Sequence, residues 1–270
     1  MTTTTHRRIS IVIPCLNDAE LLQHCLQSLA RQTVPATEII VVDNGSTDDS
    51  AAVAEKYGAI VVPEPRRGIT WATATGFDHA TGDVLVRTDA DIIAPPDFVE
   101  RLHRAWDAAD ASPGRTVVGV TGSARFMFPP HLSALGDFIS RLYLGAYQRS
   151  VGSALGHFPF FGTNYSLRAS WWDEVSPGID FADTYVHEDM HLSFAVRPHE
   201  TVWFQPDVSV DMDARAVKGL RQLAVRFRRG FHTMFVHFRT QPPHRRLAQR
   251  GLLGSRLGTI LGRADSVKGA

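Results

Sequence analysis

Three groups of carboxylates stand where an α/β protein could use them: Asp43 within Asp43-Asn-Gly-Ser-Thr-Asp48, the pair Asp89-Ala-Asp91, and the adjacent Glu188-Asp189. Spaced two apart after an apolar run, Asp89 and Asp91 can both reach one point beyond a strand end. Hard divalent cations such as Mn²⁺ or Mg²⁺ favour oxygen ligands and bridge one or two carboxylates to phosphates. Such a cation offsets the charge that builds on a diphosphate leaving group. The competing reading is that one Asp caps the helix that follows Pro95-Pro96. Glu188-Asp189 offers a different chemistry. A hydroxyl is a poor nucleophile, and a carboxylate is ionised at neutral pH and can take its proton. A base of this kind contributes on the order of 10² to 10⁴ in rate. Two exposed acids opening a helix is the plainer alternative there, and Asp43 taken alone reads as a turn former.

His187-Glu-Asp-Met-His191 also fits H-E-x-x-H, in which two histidines one turn apart bind zinc and a glutamate activates water. Glu200, Asp207 or Asp211 would then supply a third ligand. Asp189 sets a charge at a position that faces the interior in such proteases, and the strand-end carboxylates would have no task. A zinc peptidase is therefore kept only as an alternative.

These groups need elements to hold them. Ile9 to Pro14 is a short apolar run suited to a buried strand, and Leu21, Leu22, Cys25, Leu26 and Leu29 follow at helical spacing. Glu38 to Asp43 is a second strand ended by Asn44-Gly45. Ser46 or Thr47 can cap a helix running to Tyr57. Strand 59–62, helix 69–80, strand 83–88, helix 96–110 and strand 116–121 complete an alternation that predicts a parallel α/β sheet. Ligands bind at the carboxyl ends of strands in open sheets of this kind, which is where Asp43, Asp89 and Asp91 fall. After residue 122 the rhythm is irregular, with a helix expected to end at Gln148.

With the carboxylates placed, the run Ile11-Val-Ile-Pro-Cys-Leu-Asn17 and then Ile39-Ile-Val-Val-Asp-Asn-Gly-Ser-Thr-Asp48 resembles the opening of family-2 glycosyltransferases of the GT-A type. Gly68, Gly76, Ala80, Gly82-Asp83 and Asp89-Ala-Asp91 continue the likeness, and Gly162-Thr-Asn164, Arg168, Glu188-Asp189 and Arg197 extend it. The resemblance implies a GT-A type, mostly parallel sheet flanked by helices, and transfer of a sugar from a nucleotide diphosphate to a glycan or lipid-linked hydroxyl with inversion. A UDP-sugar suits Asp43 best, with a GDP-sugar next. It further implies that Pro14, Asn17, Asp18, Asp43, Gly68, Asp89 and Asn164 face the nucleotide sugar. Asp89 and Asp91 would hold Mn²⁺ or Mg²⁺, Asp189 would be the general base, and Glu188 would orient the acceptor. Two positions depart from the family's pattern: Thr73-Ala74 replaces an Arg-Asn pair, and the Gln-x-x-Arg-Trp motif of processive synthases has no counterpart beyond Arg226-Phe-Arg-Arg-Gly230.

The net charge of zero hides a split. From Ala214 to Ala270 there are thirteen Lys and Arg against one acid, Asp265, which leaves 15 basic and 27 acidic residues before it. The expected organisation is a catalytic domain over 1–213 and a basic amphipathic helical extension over 214–270. In that extension Val217, Leu220, Leu223, Phe227, Phe231, Met234, Phe235 and Phe238 form one helical stripe. Either the stripe packs on the catalytic domain, or residues 215–263 rest on an anionic membrane surface. A further alternative for a basic residue here, Arg226 or Arg229, is to close over the diphosphate. The acidic body argues against nucleic acid as a partner. Cys15 and Cys25 fit neither a disulfide framework nor a zinc site. No signal-peptide core and no bilayer-length apolar run is present, so a cytoplasmic location, peripheral at the inner face of a membrane, is expected. A binding module with an inactive sugar site is the non-enzymatic alternative.

Overall fold

Period-two burial in the strands decides the layering. In the computed structural model, which describes residues 7–216 and 220–252, β1 (Ile9–Cys15) turns Ile9, Ile11 and Ile13 to one face and Val12 to the other. On the first face lie α1 (Ala19–Leu29), α2 (Ser50–Lys56) and α4 (Phe98–Ala111), with Leu22, Leu26, Phe98, Leu102 and Trp106 filling the core. On the second lie α3 (Ile69–His79), α6 (Ala169–Val175) and α7 (Glu188–Phe194), with Phe77, Trp171, Trp172 and Leu192. Gly76 lets α3 come down on the sheet, since a Cβ there would lie 2.3 Å from Val12 Cγ1.

The remaining strands are β2 (Glu38–Asp43), β3 (Ile60–Pro63), β4 (Val84–Thr88), β5 (Ile92–Ile93), β6 (Thr116–Met127), β7 (Asn164–Arg168) and β8 (Glu200–Asp213). Their order is β3-β2-β1-β4-β7-β6-β8-β5. The first four in that order are parallel, as expected, but β7 is antiparallel to both β4 and β6, and β5 is antiparallel to β8. The sheet is therefore mixed, with one parallel half and an antiparallel β7 at its centre. Antiparallel β7 begins where β4 ends (Thr88 pairs with Asn164), so the loop before β7 is delivered beside Asp89.

Three elements depart from expectation. α2 starts at Ser50 and not at Ser46, because Asp48 takes the Ser50 N–H at 3.1 Å while Ser46 and Thr47 are drawn to Asn17. β6 runs on to Met127 alongside β8. The helix expected to stop at Gln148 is α5 (Ser133–Leu155), which ends where Gly156 takes a φ of 76°, a conformation favoured by glycine.

In the C-terminal extension, α8 (Leu220–Phe238) and α9 (Pro243–Gln249) dock on the catalytic core. Met234 and Phe238 pack with Tyr147, Val151 and Leu155 of α5 and Met190 and Phe194 of α7. The predicted single stripe is split, however: Phe227, Phe231 and Phe235 are 58%, 65% and 62% exposed. Residues 217–219 and 253–263 of the expected membrane-facing segment lie outside the described residues. No helix among the described residues is long and apolar enough to cross a membrane.

Candidate active site

The loops after β1 and β2 are tied by side chain to main chain. Asn17, held at a φ of 53°, accepts the Thr47 N–H on Oδ1 at 2.7 Å, and its own N–H reaches Ser46 Oγ at 3.0 Å. Asp43 folds its turn by accepting the Ser46 N–H at 2.9 Å. Pro14 sits half-buried at the end of β1. Gly68 has a φ of 136°, and a Cβ there would lie 2.8 Å from Thr184 Cγ2, so this position needs glycine twice over. Asn44, which the sequence reading passed over, organises the rim: it donates to the Glu64 and Arg66 carbonyls at 2.8 and 2.7 Å and accepts the Gly68 N–H at 2.9 Å.

The second cluster lies at the end of β4. Arg87 is only 2% exposed and donates through Nη1 to Asp89 Oδ1 at 2.6 Å and to the Gly162 carbonyl. Asp91 is bound by Arg215, whose Nε donates to Oδ2 at 2.7 Å, while the two Nη atoms of Arg215 fork onto Asp18 at 2.6 and 2.9 Å. Burial, with the Asp89 charge second, pushes the Asp91 carboxyl up to about 6. The hydrogen bonds to Asp18 raise the Arg215 guanidinium above its ordinary value. Three carboxylates and two guanidiniums thus share this end of the sheet.

The third cluster starts α7. Gly162 donates its N–H to Asp189 Oδ2 at 2.8 Å, the Met190 N–H reaches Oδ1 at 2.8 Å, and the Tyr147 hydroxyl, which donates to the Phe160 carbonyl at 2.7 Å, lies 3.3 Å from Oδ2. Asp189 remains half-buried, open enough to meet a ligand. Glu188 is placed differently. It is 8% exposed, accepts the Tyr165 hydroxyl, and lies 3.8 Å from Arg87 Nε. Burial drives its carboxyl up to about 7 even though Arg87 opposes the shift. Glu188 therefore backs Arg87 from beneath and does not stand beside Asp189 at the opening.

Arg87 and Gly162 join the clusters: Asp89 binds Arg87, Arg87 binds the Gly162 carbonyl, and the Gly162 N–H binds Asp189. Neither Arg87 nor Tyr147 was singled out from the sequence, although a lone arginine inside the buried run Val84–Thr88 was a legible signal. Asn164 is also brought here, but its amide is committed to the Ser123 and Val208 carbonyls at 2.9 Å each, stitching β6 to β8. Arg229, one of two candidates for closing over a diphosphate, donates to the carbonyls of Tyr185 and Val186 at 3.1 and 2.8 Å and holds the loop before α7. Between α5 and the ends of β6 and β8 opens a cleft of about 480 Å³, lined by Ser123, Arg125, Arg141, Leu144, Gln148 and Phe204.

The H-E-x-x-H histidines are turned to α8. His187 Nε2 meets the Arg226 carbonyl at 2.9 Å, and His191 Nδ1 pairs with His237 Nε2 at 2.8 Å. Among the described residues no three His, Cys, Asp or Glu side chains converge as an all-protein metal cage requires. A cation that completes its shell with phosphate and water needs only one or two carboxylates. Asp91 with Asp89 fits that requirement: both offer hard oxygen donors, and Asp91 is raised by burial and by Asp89, the electrostatic situation that a cation relieves.

Residues 10–166 match the model of glycosyl transferase family 2. An undecaprenyl-phosphate 4-deoxy-4-formamido-L-arabinose transferase of Sodalis glossinidius is 34% identical over 161 residues, covering 56% of this chain and 46% of that protein. Glycosyltransferase AglE of Haloferax volcanii is 30% identical over 135 residues, or 47% of this chain and 42% of that one. The chain thus spans about half the length of these relatives. Among solved structures, the mannosyltransferase PcManGT of Pyrobaculum calidifontis with GDP-Man and Mn²⁺ superposes with a TM-score of 0.63 at 24% identity, covering 96% of this chain and 73% of that one. The glucosyl-3-phosphoglycerate synthase of Mycobacterium tuberculosis with Mn²⁺, UDP and glucosyl-3-phosphoglycerate gives 0.51 at 22% identity, covering 92% and 82%. Both likenesses establish the fold.

Proposed function

The chain belongs to glycosyl transferase family 2, and from that premise we propose that it is an inverting, metal-assisted enzyme that moves a sugar from a nucleotide diphosphate to a hydroxyl of a lipid-linked acceptor. The observation that carries this reading is the hydrogen-bonded path from Asp89 through Arg87 and Gly162 to Asp189. It sets a donor-side carboxylate and a candidate base at one sheet end, where donor and acceptor have to meet. The loops carrying Pro14, Asn17, Asp18, Asp43 and Gly68 would take the nucleotide, UDP before GDP.

A divalent cation held by Asp91 with Asp89 beside it would supply Lewis-acid stabilisation of the departing diphosphate. The chain's own residues do the rest. Asp189 takes the acceptor proton as the hydroxyl oxygen attacks the anomeric carbon from the side opposite the diphosphate, which leaves with inversion. The Gly162 and Met190 N–H groups each hold one oxygen of Asp189, so the base is pre-positioned. Arg87, clamped between Asp89 and Glu188, keeps donor and base sides in register.

The choice of a hydroxyl as the acceptor's reacting group rests on Asp189, and the relatives named for undecaprenyl phosphate support a lipid on that acceptor. So does α8, where Phe227, Phe231 and Phe235 recur every fourth residue on the exposed side, with Arg226, Arg228 and Arg239 nearby. Phenylalanines with flanking arginines suit an anionic bilayer surface, where each cation adds roughly 1 kcal/mol. In this reading residues 214–270 seat the catalytic domain of residues 1–213 at the inner face of a membrane.

The experiment is a transfer assay with labelled UDP- and GDP-sugars, Mn²⁺ and anionic vesicles carrying a polyprenyl lipid acceptor. Label entering the organic phase, lost on removing the cation, supports the proposal. Absence of transfer from every donor to every acceptor tried, with nucleotide binding intact, would return the inactive binding module to the front.

A further inference from the structure

Arg215 lies 197 residues from Asp18 and 124 from Asp91, yet its guanidinium binds both carboxylates at once. The end of β8 is built to deliver it. The Asp213 N–H is held by the Asp91 carbonyl at 3.1 Å, and Asp213 Oδ1 accepts the Arg215 N–H at 2.6 Å. The Arg215 side chain is 43% exposed, whereas those of Asp18 and Asp91 are 22% and 12% exposed. The carboxylates are thus fixed in the protein while the cation that neutralises them is half in water and can leave.

We infer that Arg215 is the resident counter-cation of the donor site, competing with the incoming divalent cation for Asp91 and turning away from it when the cation is loaded. This rests on the proposed donor-site reading. A hard cation binds carboxylate oxygen at about 2.0 to 2.6 Å. Arg215 Nε lies 2.7 Å from Asp91 Oδ2, so a divalent cation bound to the same carboxylate at that distance would stand close to a second positive charge, and their repulsion sets the two in competition. The fork onto Asp18 gives Arg215 a second carboxylate to retain, so release from Asp91 need not leave it unpaired. Metal occupancy is thereby coupled to the chain just after β8, which leads into α8.

The test is Mn²⁺ binding to the full chain, read from the electron-paramagnetic-resonance signal of free Mn²⁺, for wild type, Arg215→Gln and Arg215→Lys, with and without UDP or GDP. Without nucleotide, Arg215→Gln should bind Mn²⁺ on the order of tenfold tighter, the size of one lost charge-assisted hydrogen bond. Arg215→Lys, which keeps the charge but loses the planar fork, should fall between and carries the test alone if the glutamine variant does not fold. Equal or weaker Mn²⁺ binding in the variants would overturn the competition and make Arg215 a static brace, while Mn²⁺-dependent nucleotide binding would leave the donor site standing. No Mn²⁺ binding to any form, even with nucleotide, would overturn both readings.

Discussion

Replacing Arg87 by methionine should destabilise the protein in a way that depends on pH and on Glu188. Arg87 is 2% exposed and is the shared partner of Asp89 at 2.6 Å and Glu188 at 3.8 Å. Breaking one partner out of a buried ion pair costs about 3–5 kcal/mol. Glu188 decides how that cost varies with pH. Its carboxyl is raised from 4.5 to about 7, so the folded state holds this proton more tightly than the unfolded state. The group's contribution to stability therefore falls as pH rises from 4.5 to about 7, and is flat above that window. Without Arg87 the upper edge of the window moves above 7, and stability keeps falling by about 1.36 kcal/mol per pH unit from 7 up to that new edge. The loss caused by Arg87→Met should thus be larger at pH 8 than at pH 5. Adding Glu188→Gln, which can still accept the Tyr165 hydroxyl, should recover about 0.5–3 kcal/mol at pH 8, the range of coupling between contacting residues. Urea denaturation of wild type, both single variants and the double variant at the two pH values gives the full cycle. An Arg87→Met loss that is the same at pH 5 and pH 8, and that Glu188→Gln does not relieve, would refute the reasoning.

Two further outcomes follow from the same geometry. Asp189→Asn should lower kcat by about 10² to 10⁴ while leaving nucleotide affinity unchanged, measured by steady-state kinetics beside calorimetry. A small effect would point to an acceptor that is already anionic, such as a lipid phosphate, which needs no base. The triple change of Phe227, Phe231 and Phe235 to serine should weaken sedimentation with anionic vesicles by at least about tenfold, given 1.5–3 kcal/mol for burying each such side chain. The same variant should retain transfer to a detergent-dispersed acceptor, because these three rings face away from α7 and the core.

The parallel half was legible because its signals are local. Apolar runs mark β1, β2 and β4, and short acidic loops follow them, so Asp43, Asp89 and Asp91 fall at strand ends without any tertiary information. The other half was less so. β7 (Asn-Tyr-Ser-Leu-Arg) is buried on both faces but carries polar residues that pair across the sheet, so neither its alternation nor its direction can be read. β6 runs past the expected end at Thr121 because β8, some eighty residues later, pairs with it. Arg215 and Tyr147 were hidden for the same reason, since each acquires its role only from partners far away in sequence. Glu188 shows the limit of reading a pair of neighbouring acids: helix geometry sends Asp189 to the opening and Glu188 under Arg87, and the sequence spacing alone treats them alike.

Calorimetric titration of UDP and GDP, with and without Mn²⁺, into wild type and Asp91→Asn tests the central claim most directly. The account predicts that one nucleotide binds wild type with a strong dependence on Mn²⁺, and that Asp91→Asn abolishes the Mn²⁺ dependence. Nucleotide binding that is indifferent to both the cation and Asp91, or no binding at all, would contradict it.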